Sequence, residues 1–427
     1  IDPFNEVTPP SWEASYLARV GRQIYDSVAA ADPEAIWLQM GWIFTYQRQN
    51  WTDERIEAYL GATPKDKQII LDYYCESTEV WPQTKSFFGT PYIWCYLGNF
   101  GGNPYMDGSF RTLEDRFENC YTNGGDNLVG IGCTLEGLDT NPYVYQYVLE
   151  KAWNSDITAD IEIWTDALAD QRTGKADAHA RKAWHTLVDS IYVDESSAGL
   201  KFQIELLRPI FKTRTWVYSK NNLDKEIRIL TDVLGQLVQA DGKGDAYEFD
   251  LANISRQMLM CRFSALYRDY EKACNAGNWD ELKPLSEQML TNLDELEKVC
   301  ATSLEFSLGK WIEDARRFGV DEAEKDYFET NARNLITSWA PNMHYGLNDY
   351  AHRPYDGLIA TYYKPRWEMF FEMMDAERDN FDWDAFNERS FSLERAWWAE
   401  CQGSFKASTR GDIRKIAESL YNKYQKQ

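Results

Sequence analysis

Two short acidic motifs hold the residues whose types and spacing could do chemistry. Asp2-Pro3-Phe4-Asn5-Glu6 opens the chain, and Thr134-Leu135-Glu136-Gly137 follows an apolar run about 130 residues later. A pair of carboxylates is what cleavage of a glycosidic bond needs: one protonates the leaving oxygen while the other attacks the anomeric carbon or activates a water. Two glutamates at the C-terminal ends of different strands can converge across a barrel mouth, where barrel enzymes place their chemistry. The competing reading is a pair of solvated glutamates in a chain with 68 acidic residues. Asn-Glu and Glu-Gly are weak motifs, and their shared placement after apolar runs is what favours a site. Glu6 sits so near residue 1 that a strand carrying it would lie mostly upstream, so the sequence is expected to be the C-terminal part of a longer protein.

The elements that must position this pair fall into two regions with different patterns. Up to about residue 155, helical stretches alternate with short apolar runs. Trp12–Ala30 reads as an amphipathic helix entered through Pro9-Pro10, with Ser11 as its N-cap, and Asp53–Leu60 as a second helix. The runs Ala35–Trp42, Gln68–Tyr73, Tyr92–Leu97 and Asn127–Cys133 read as parallel strands buried on both faces, and Tyr143–Trp153 closes the region as a helix. One run per 30 to 35 residues matches βα units of a (β/α)8 barrel, or equally a doubly wound sheet. Polar and aromatic residues at the ends of the runs (Glu6, Trp42, Asp72, Asn99, Glu136) favour the barrel. From about residue 156 the helical period dominates, in Ile161–Gln171, Ala176–Tyr192, Leu223–Ala240, Phe249–Ala276, Trp279–Ser303, Leu308–Phe318, Glu322–Ala340, Gly357–Asp375 and Ser392–Gln402. The expected fold is therefore α/β plus all-α: the C-terminal part of a (β/α)8 barrel over 1–155, then a helical domain over 156–427 that contributes to the site.

Composition narrows the function classes. A net charge of −23 argues against a nucleic-acid groove or an anionic membrane as the main partner. The eight Cys form no CxxC pair and the four His are dispersed, so neither a metal nor another cofactor is expected, while one or two disulfides stay open for an exported protein. No apolar run reaches 18 residues, so no membrane span is expected. Asn50-Trp51-Thr52 and Asn253-Ile254-Ser255 fit the glycosylation pattern at near-chance frequency. With 17 Trp and 26 Tyr the chain can pack a large core or build flat platforms for sugar rings, and composition does not separate the two.

The sequence as a whole resembles the α-N-acetylglucosaminidases, glycoside hydrolase family 89. The resemblance runs through Phe4-Asn5-Glu6 with Pro9-Pro10, Trp37-Leu-Gln-Met-Gly-Trp42, and Trp94-Cys-Tyr-Leu-Gly-Asn-Phe-Gly-Gly-Asn103. It continues through Glu136-Gly137, Trp339-Ala-Pro341, Asp349-Tyr350-Ala351 and Tyr362-Tyr-Lys-Pro-Arg-Trp367, and so covers most of the chain in order. It implies a retaining exo-hydrolase that removes terminal, non-reducing α-linked N-acetylglucosamine from heparan-type or mucin-type glycans, in a secreted, periplasmic or lysosomal setting. By motif match Glu6 would be the general acid/base, Glu136 the nucleophile and Asn5 a sugar ligand beside the acid. Trp42, Phe100, Trp339 and Tyr350 match aromatic pocket positions, and Leu347 an apolar contact. Asn99, Gly101 and Gly102 would shape the strand-end loop. Family members also carry an upstream small α/β domain and the first barrel strands, which would be partners of this segment.

One departure stands out. Relatives place a histidine after a Ser-[Ile/Val]-Tyr segment, but after Ser190-Ile191-Tyr192 no His occurs before His344, so either a contact from Asp194–Gln203 replaces it or substrate preference differs. The loop Asn342–Gly346 is also slightly longer than in the family. The competing functions are an inactive or incomplete homologue acting as a carbohydrate-binding module and, more weakly, a helical scaffold for a partner protein.

Overall fold

A computed structural model describes residues 1–137, 141–153, 161–193, 203–211, 223–339, 347–401 and 405–426. Four strands, β1 (Trp37–Met40), β2 (Gln68–Asp72), β3 (Tyr92–Tyr96) and β4 (Leu128–Cys133), form one parallel sheet in sequential order. Trp37 pairs with Gln68, Ile70 with Tyr92, and Trp94 with Ile131. Helices α1 (Ala14–Ala31), α2 (Asp53–Leu60), α3 (Phe110–Asn123) and α4 (Pro142–Trp153) accompany the strands, as the βα reading anticipates. The inner strands β2 and β3 bury Ile70, Asp72, Trp94 and Tyr96, whereas the edge strands do not match the expectation of burial on both faces. Leu38 of β1 is 50% exposed and Val129 of β4 is 54% exposed, and among the described residues each of these strands pairs on one side only.

Two local expectations are corrected. Ser11 does not cap α1: its Oγ accepts from the Glu13 N–H at 3.1 Å, a turn of its own, and the helix begins at Ala14. Helix α3 was not anticipated, yet Phe110, Leu113, Phe117 and Cys120 keep a helical spacing and Ser109 caps it by accepting from the Thr112 N–H at 3.2 Å.

Beyond β4 the described residues hold helices and no further strand. They include α5 (Ile161–Thr173), α6 (Ala178–Ser190), α7 (Leu223–Gln239), α8 (Asp245–Ala276), α9 (Trp279–Cys300), α10 (Leu308–Arg316) and α11 (Glu322–Leu335). Helices α12 (Lys364–Glu377), α13 (Trp383–Ala399) and α14 (Ile413–Tyr424) follow. The long α8 packs on α7 and α9 and stops at Gly277, whose φ of 69° is open to glycine. The stretch expected as one helix over Gly357–Asp375 is a π-helical turn at Ile359–Tyr363 running into α12. Pro365 has no N–H to give the preceding turn, which accounts for the altered ladder. Helix α13 starts nine residues earlier than expected, where Asp382 accepts from the Asp384 and Ala385 N–H groups at 3.0 Å, and α14 was not foreseen.

The helical region sits on the loops that leave the strands. From α8, Arg256 donates to Pro104 O at 2.7 Å and Gln257 accepts from the Met106 N–H at 3.1 Å, both in the loop after β3. The same helix buries Asn253 at 3% exposure, so the second glycosylation pattern is closed off in the fold. The eight cysteines, all among the described residues, form no disulfide. Among the described residues, no helix is long and apolar enough to cross a membrane.

Candidate active site

Glu6 stands on an irregular turn tied to β1. The Ile1 carbonyl accepts from Trp37 Nε1 at 2.8 Å, and Asp2 Oδ1 accepts from the Met40 N–H at 2.7 Å. Phe4 and Glu6 take φ of 62° and 54°, left-handed values that cost a side-chain-bearing residue of order 1–3 kcal/mol. Such strain persists where surrounding contacts impose it, and here Trp42, just past β1, donates its Nε1–H to Glu6 Oε1 at 3.1 Å.

Glu136 lies three residues beyond β4, on a loop held at both ends. Thr134 donates its hydroxyl to Tyr73 O at 2.7 Å, and its N–H bonds Tyr96 O at 2.9 Å. The Asn99 side chain brackets Glu136 itself, accepting from the Glu136 N–H at 3.1 Å and donating to Gly137 O at 3.2 Å. The carboxylate then receives three donors: the Gly101 N–H and the Tyr350 hydroxyl, each at 2.6 Å from Oε2, and the Tyr73 hydroxyl at 3.4 Å from Oε1. Burial first, then Glu136 itself, pushes the Tyr73 and Tyr350 phenols far above their ordinary range. Both therefore keep their protons and remain donors.

The loop that supplies Asn99 and Gly101 is held from beneath by a second carboxyl. Glu76 accepts from the Leu97 N–H at 3.1 and 3.2 Å and from the Gly98 N–H at 2.6 Å. Burial raises Glu76 to about 7 although these N–H groups pull the other way. Asp72, at the end of β2, is likewise pushed by burial to about 7 and serves its own loop, accepting from Val80 and Trp81 N–H groups. It takes no part in the cleft.

Asn5, Glu6 and Glu136 line one cavity of about 900 Å³, and the helical region closes its far side with Trp339, Leu347, Tyr350 and Arg353. The Trp339 ring meets Tyr350 edge to face at 5.0 Å. Trp42 acts on the site by holding Glu6, with its ring 6.3 Å from that of Tyr73. Phe100 packs edge to face on Tyr74 at 5.2 Å and is not among the residues lining the cavity. The sequence reading left out Tyr73, the Gly101 N–H and Arg353. Residues 194–202 of the segment expected to replace the histidine lie outside the described residues, as does the loop 342–346. Gln203 does appear, with its Oε1 2.7 Å from His352 Nε2. Among the described residues no three His, Cys, Asp or Glu side chains gather closely enough to hold a metal ion.

Residues 1–155 match the family model for the α-N-acetylglucosaminidase (NAGLU) tim-barrel domain, and residues 164–423 match that for its C-terminal domain. Human α-N-acetylglucosaminidase is 34% identical over 436 residues, spanning 99% of this chain and 57% of that protein. A family 89 glycoside hydrolase from Clostridium perfringens, solved with 2-acetamido-1,2-dideoxynojirmycin, superposes with a TM-score of 0.84 at 27% identity. A form of the C. perfringens enzyme with two Glu→Gln changes, solved with its substrate GlcNAc-α-1,4-galactose, gives 0.85 at 26%. Both cover 99% of this chain and 48% of theirs. The chain thus spans about half the length of these relatives.

Proposed function

The chain belongs to the α-N-acetylglucosaminidase family, glycoside hydrolase family 89, and from that premise we propose that it carries the catalytic pair of a retaining exo-α-N-acetylglucosaminidase. The observation that supports this reading is that Glu6 and Glu136 line one cavity but receive different partners. Glu136 takes the Gly101 N–H and two phenolic hydroxyls, three donors that fix where its oxygens point, whereas Glu6 takes the single Nε1–H of Trp42. Glu136 attacks the anomeric carbon as Glu6 protonates the departing glycosidic oxygen. Glu6 then takes a proton from the water that releases the sugar with its configuration retained. Asn5, Trp339, Leu347 and Tyr350 bind the sugar. We assign 1–155 to the barrel portion that bears the carboxylates and 156–427 to the helical domain that walls the pocket.

The substrate class is terminal α-linked N-acetylglucosamine. It is supported by the human relative's name and by the GlcNAc-α-1,4-galactose held by the bacterial one. A glycan substrate suits a secreted, periplasmic or lysosomal setting. The outer edges of β1 and β4, which pair with no strand among the described residues, are where further barrel strands would pair. Release of N-acetylglucosamine from an aryl α-glycoside, followed by NMR, tests the reading. The first product should be the α-anomer, and Glu136→Gln should abolish its appearance. A β-anomer would replace retention with inversion, and no turnover by a protein with all its barrel strands would leave a carbohydrate-binding role.

A further inference from the structure

Arg353 is 6% exposed, yet its hydrogen bonds among the described residues go to main-chain carbonyls. Nη1 donates to Gly101 O at 2.6 Å, to Ala351 O at 2.8 Å and to His352 O at 3.0 Å. Burying a cation against carbonyls is costly, so a residue kept in this state calls for an account. The identities of its acceptors supply one. Gly101 is the residue whose N–H donates to Glu136 Oε2, and Ala351 follows Tyr350, whose hydroxyl donates to the same oxygen.

The guanidinium therefore joins the two loops that hold Glu136, one from the barrel portion and one from the helical region. The barrel side is built to receive it. A Cβ on Gly102 would lie 2.0 Å from Nη2 and one on Gly137 would lie 2.7 Å away, so the planar group fills a slot that two glycines leave open. From behind, the Arg353 N–H donates to the Tyr363 hydroxyl at 3.1 Å, fixing its backbone near the π-helical turn.

We propose that Arg353 is a positioning residue that registers the helical domain on the Glu136 loop, so that the Gly101 N–H and the Tyr350 hydroxyl converge on one carboxylate oxygen. It acts through geometry: one guanidinium nitrogen, Nη1, reaches acceptors on both loops while Nη2 fills the slot between Gly102 and Gly137, which a lysine's single ammonium would leave unfilled. The inference rests on the proposed role of Glu136 and can fail separately from it.

The test is a double-mutant cycle of Arg353→Met with Tyr350→Phe, read as kcat and KM on an aryl α-N-acetylglucosaminide and as melting temperature. Wild-type turnover checks the reading of the site. Given turnover, Arg353→Met should lower kcat on the order of 10- to 10²-fold with a smaller change in KM. The double variant should lose little more than the worse single one, because both changes disable one arrangement. Effects on kcat that multiply would overturn the proposal. Arg353→Lys covers a Met variant that does not fold: partial loss of kcat is expected, and wild-type kcat would defeat the need for a planar group that both bonds and fills the glycine slot. Amide hydrogen exchange reads the same coupling without activity. Arg353→Lys should quicken exchange at 99–102 and 350–353 together, while a change at 350–353 alone would show that no cross-domain registration exists.

Discussion

The Tyr350 hydroxyl donates to Glu136 Oε2 at 2.6 Å across 214 residues of sequence. The proposed nucleophile is thus held by a residue that enters from the helical region, and the barrel portion alone does not complete its surroundings. A hydrogen bond to a charged acceptor contributes about 1.5–3 kcal/mol. Tyr350→Phe should therefore lower kcat/KM roughly 10- to 150-fold. Because Tyr350 lies at the cavity wall, the melting temperature should move by only a few degrees. A variant with wild-type kinetics would show that the contact does not matter to the reaction.

The unequal partners of the two glutamates predict a leaving-group effect. Glu6→Ala removes the acid, worth about 10²- to 10⁴-fold for a poor leaving group. On an activated aryl glycoside, whose leaving group needs little protonation, the first step should be largely spared. Glu136→Ala should be inactive on every substrate. Initial rates against a series of leaving-group pKa values check this, and equal losses for both variants across the series would contradict the assigned roles.

How much of this was readable in the residues varied by element. Strands β2 and β3 announced themselves as continuous apolar runs because both their faces are covered, yet Asp72 at the end of β2 serves its own loop and Phe100 after β3 packs away from the cleft. Helix α3 hid because its four apolar contacts are spread among Arg, Asp, Glu and Asn side chains. Phe100 and Trp42 looked alike as aromatic positions after a strand, but one packs on Tyr74 and the other grips Glu6. Sequence position does not fix which way a ring turns. The Gly101 N–H and Arg353 were illegible for a different reason. A backbone donor has no residue type to read, and the arginine's role shows only when two loops 252 residues apart are brought together.

Buried carboxyls give the fold a pH dependence of definite sign. Burial raises Asp72 and Glu76 to about 7 and Glu205 to about 8. A carboxyl whose folded value lies above its unfolded one binds its proton more tightly when folded, so its stabilisation is full below about pH 4 and is lost as pH rises toward 8. The side-chain oxygens of Glu205 have no partner among the described residues beyond its own N–H. Melting temperature should thus fall between pH 5 and pH 8. Glu205→Gln should match wild type at pH 5 and exceed it at pH 8 by on the order of 1 kcal/mol or more. Parallel melting curves for the two proteins across this range would refute the account.

Trp339 tests whether the helical region shapes the pocket or only supports it. Its ring lines the cavity and meets Tyr350 at 5.0 Å, and its backbone takes a φ of 63°, held by an N–H bond to Asn334 O at 2.8 Å. A tryptophan locked into the core would cost about 3–5 kcal/mol of folding free energy on truncation to alanine. Trp339 is only half-buried, so Trp339→Ala should cost less, about 1–2 kcal/mol. If the ring is the platform for the terminal sugar, the loss should fall on binding instead: KM should rise about tenfold or more, from the missing ring contact and the freed Tyr350 side chain. Chemical denaturation and steady-state kinetics on the same preparation separate the two. A large loss of stability with unchanged KM would assign Trp339 to the core and move the far wall of the pocket elsewhere.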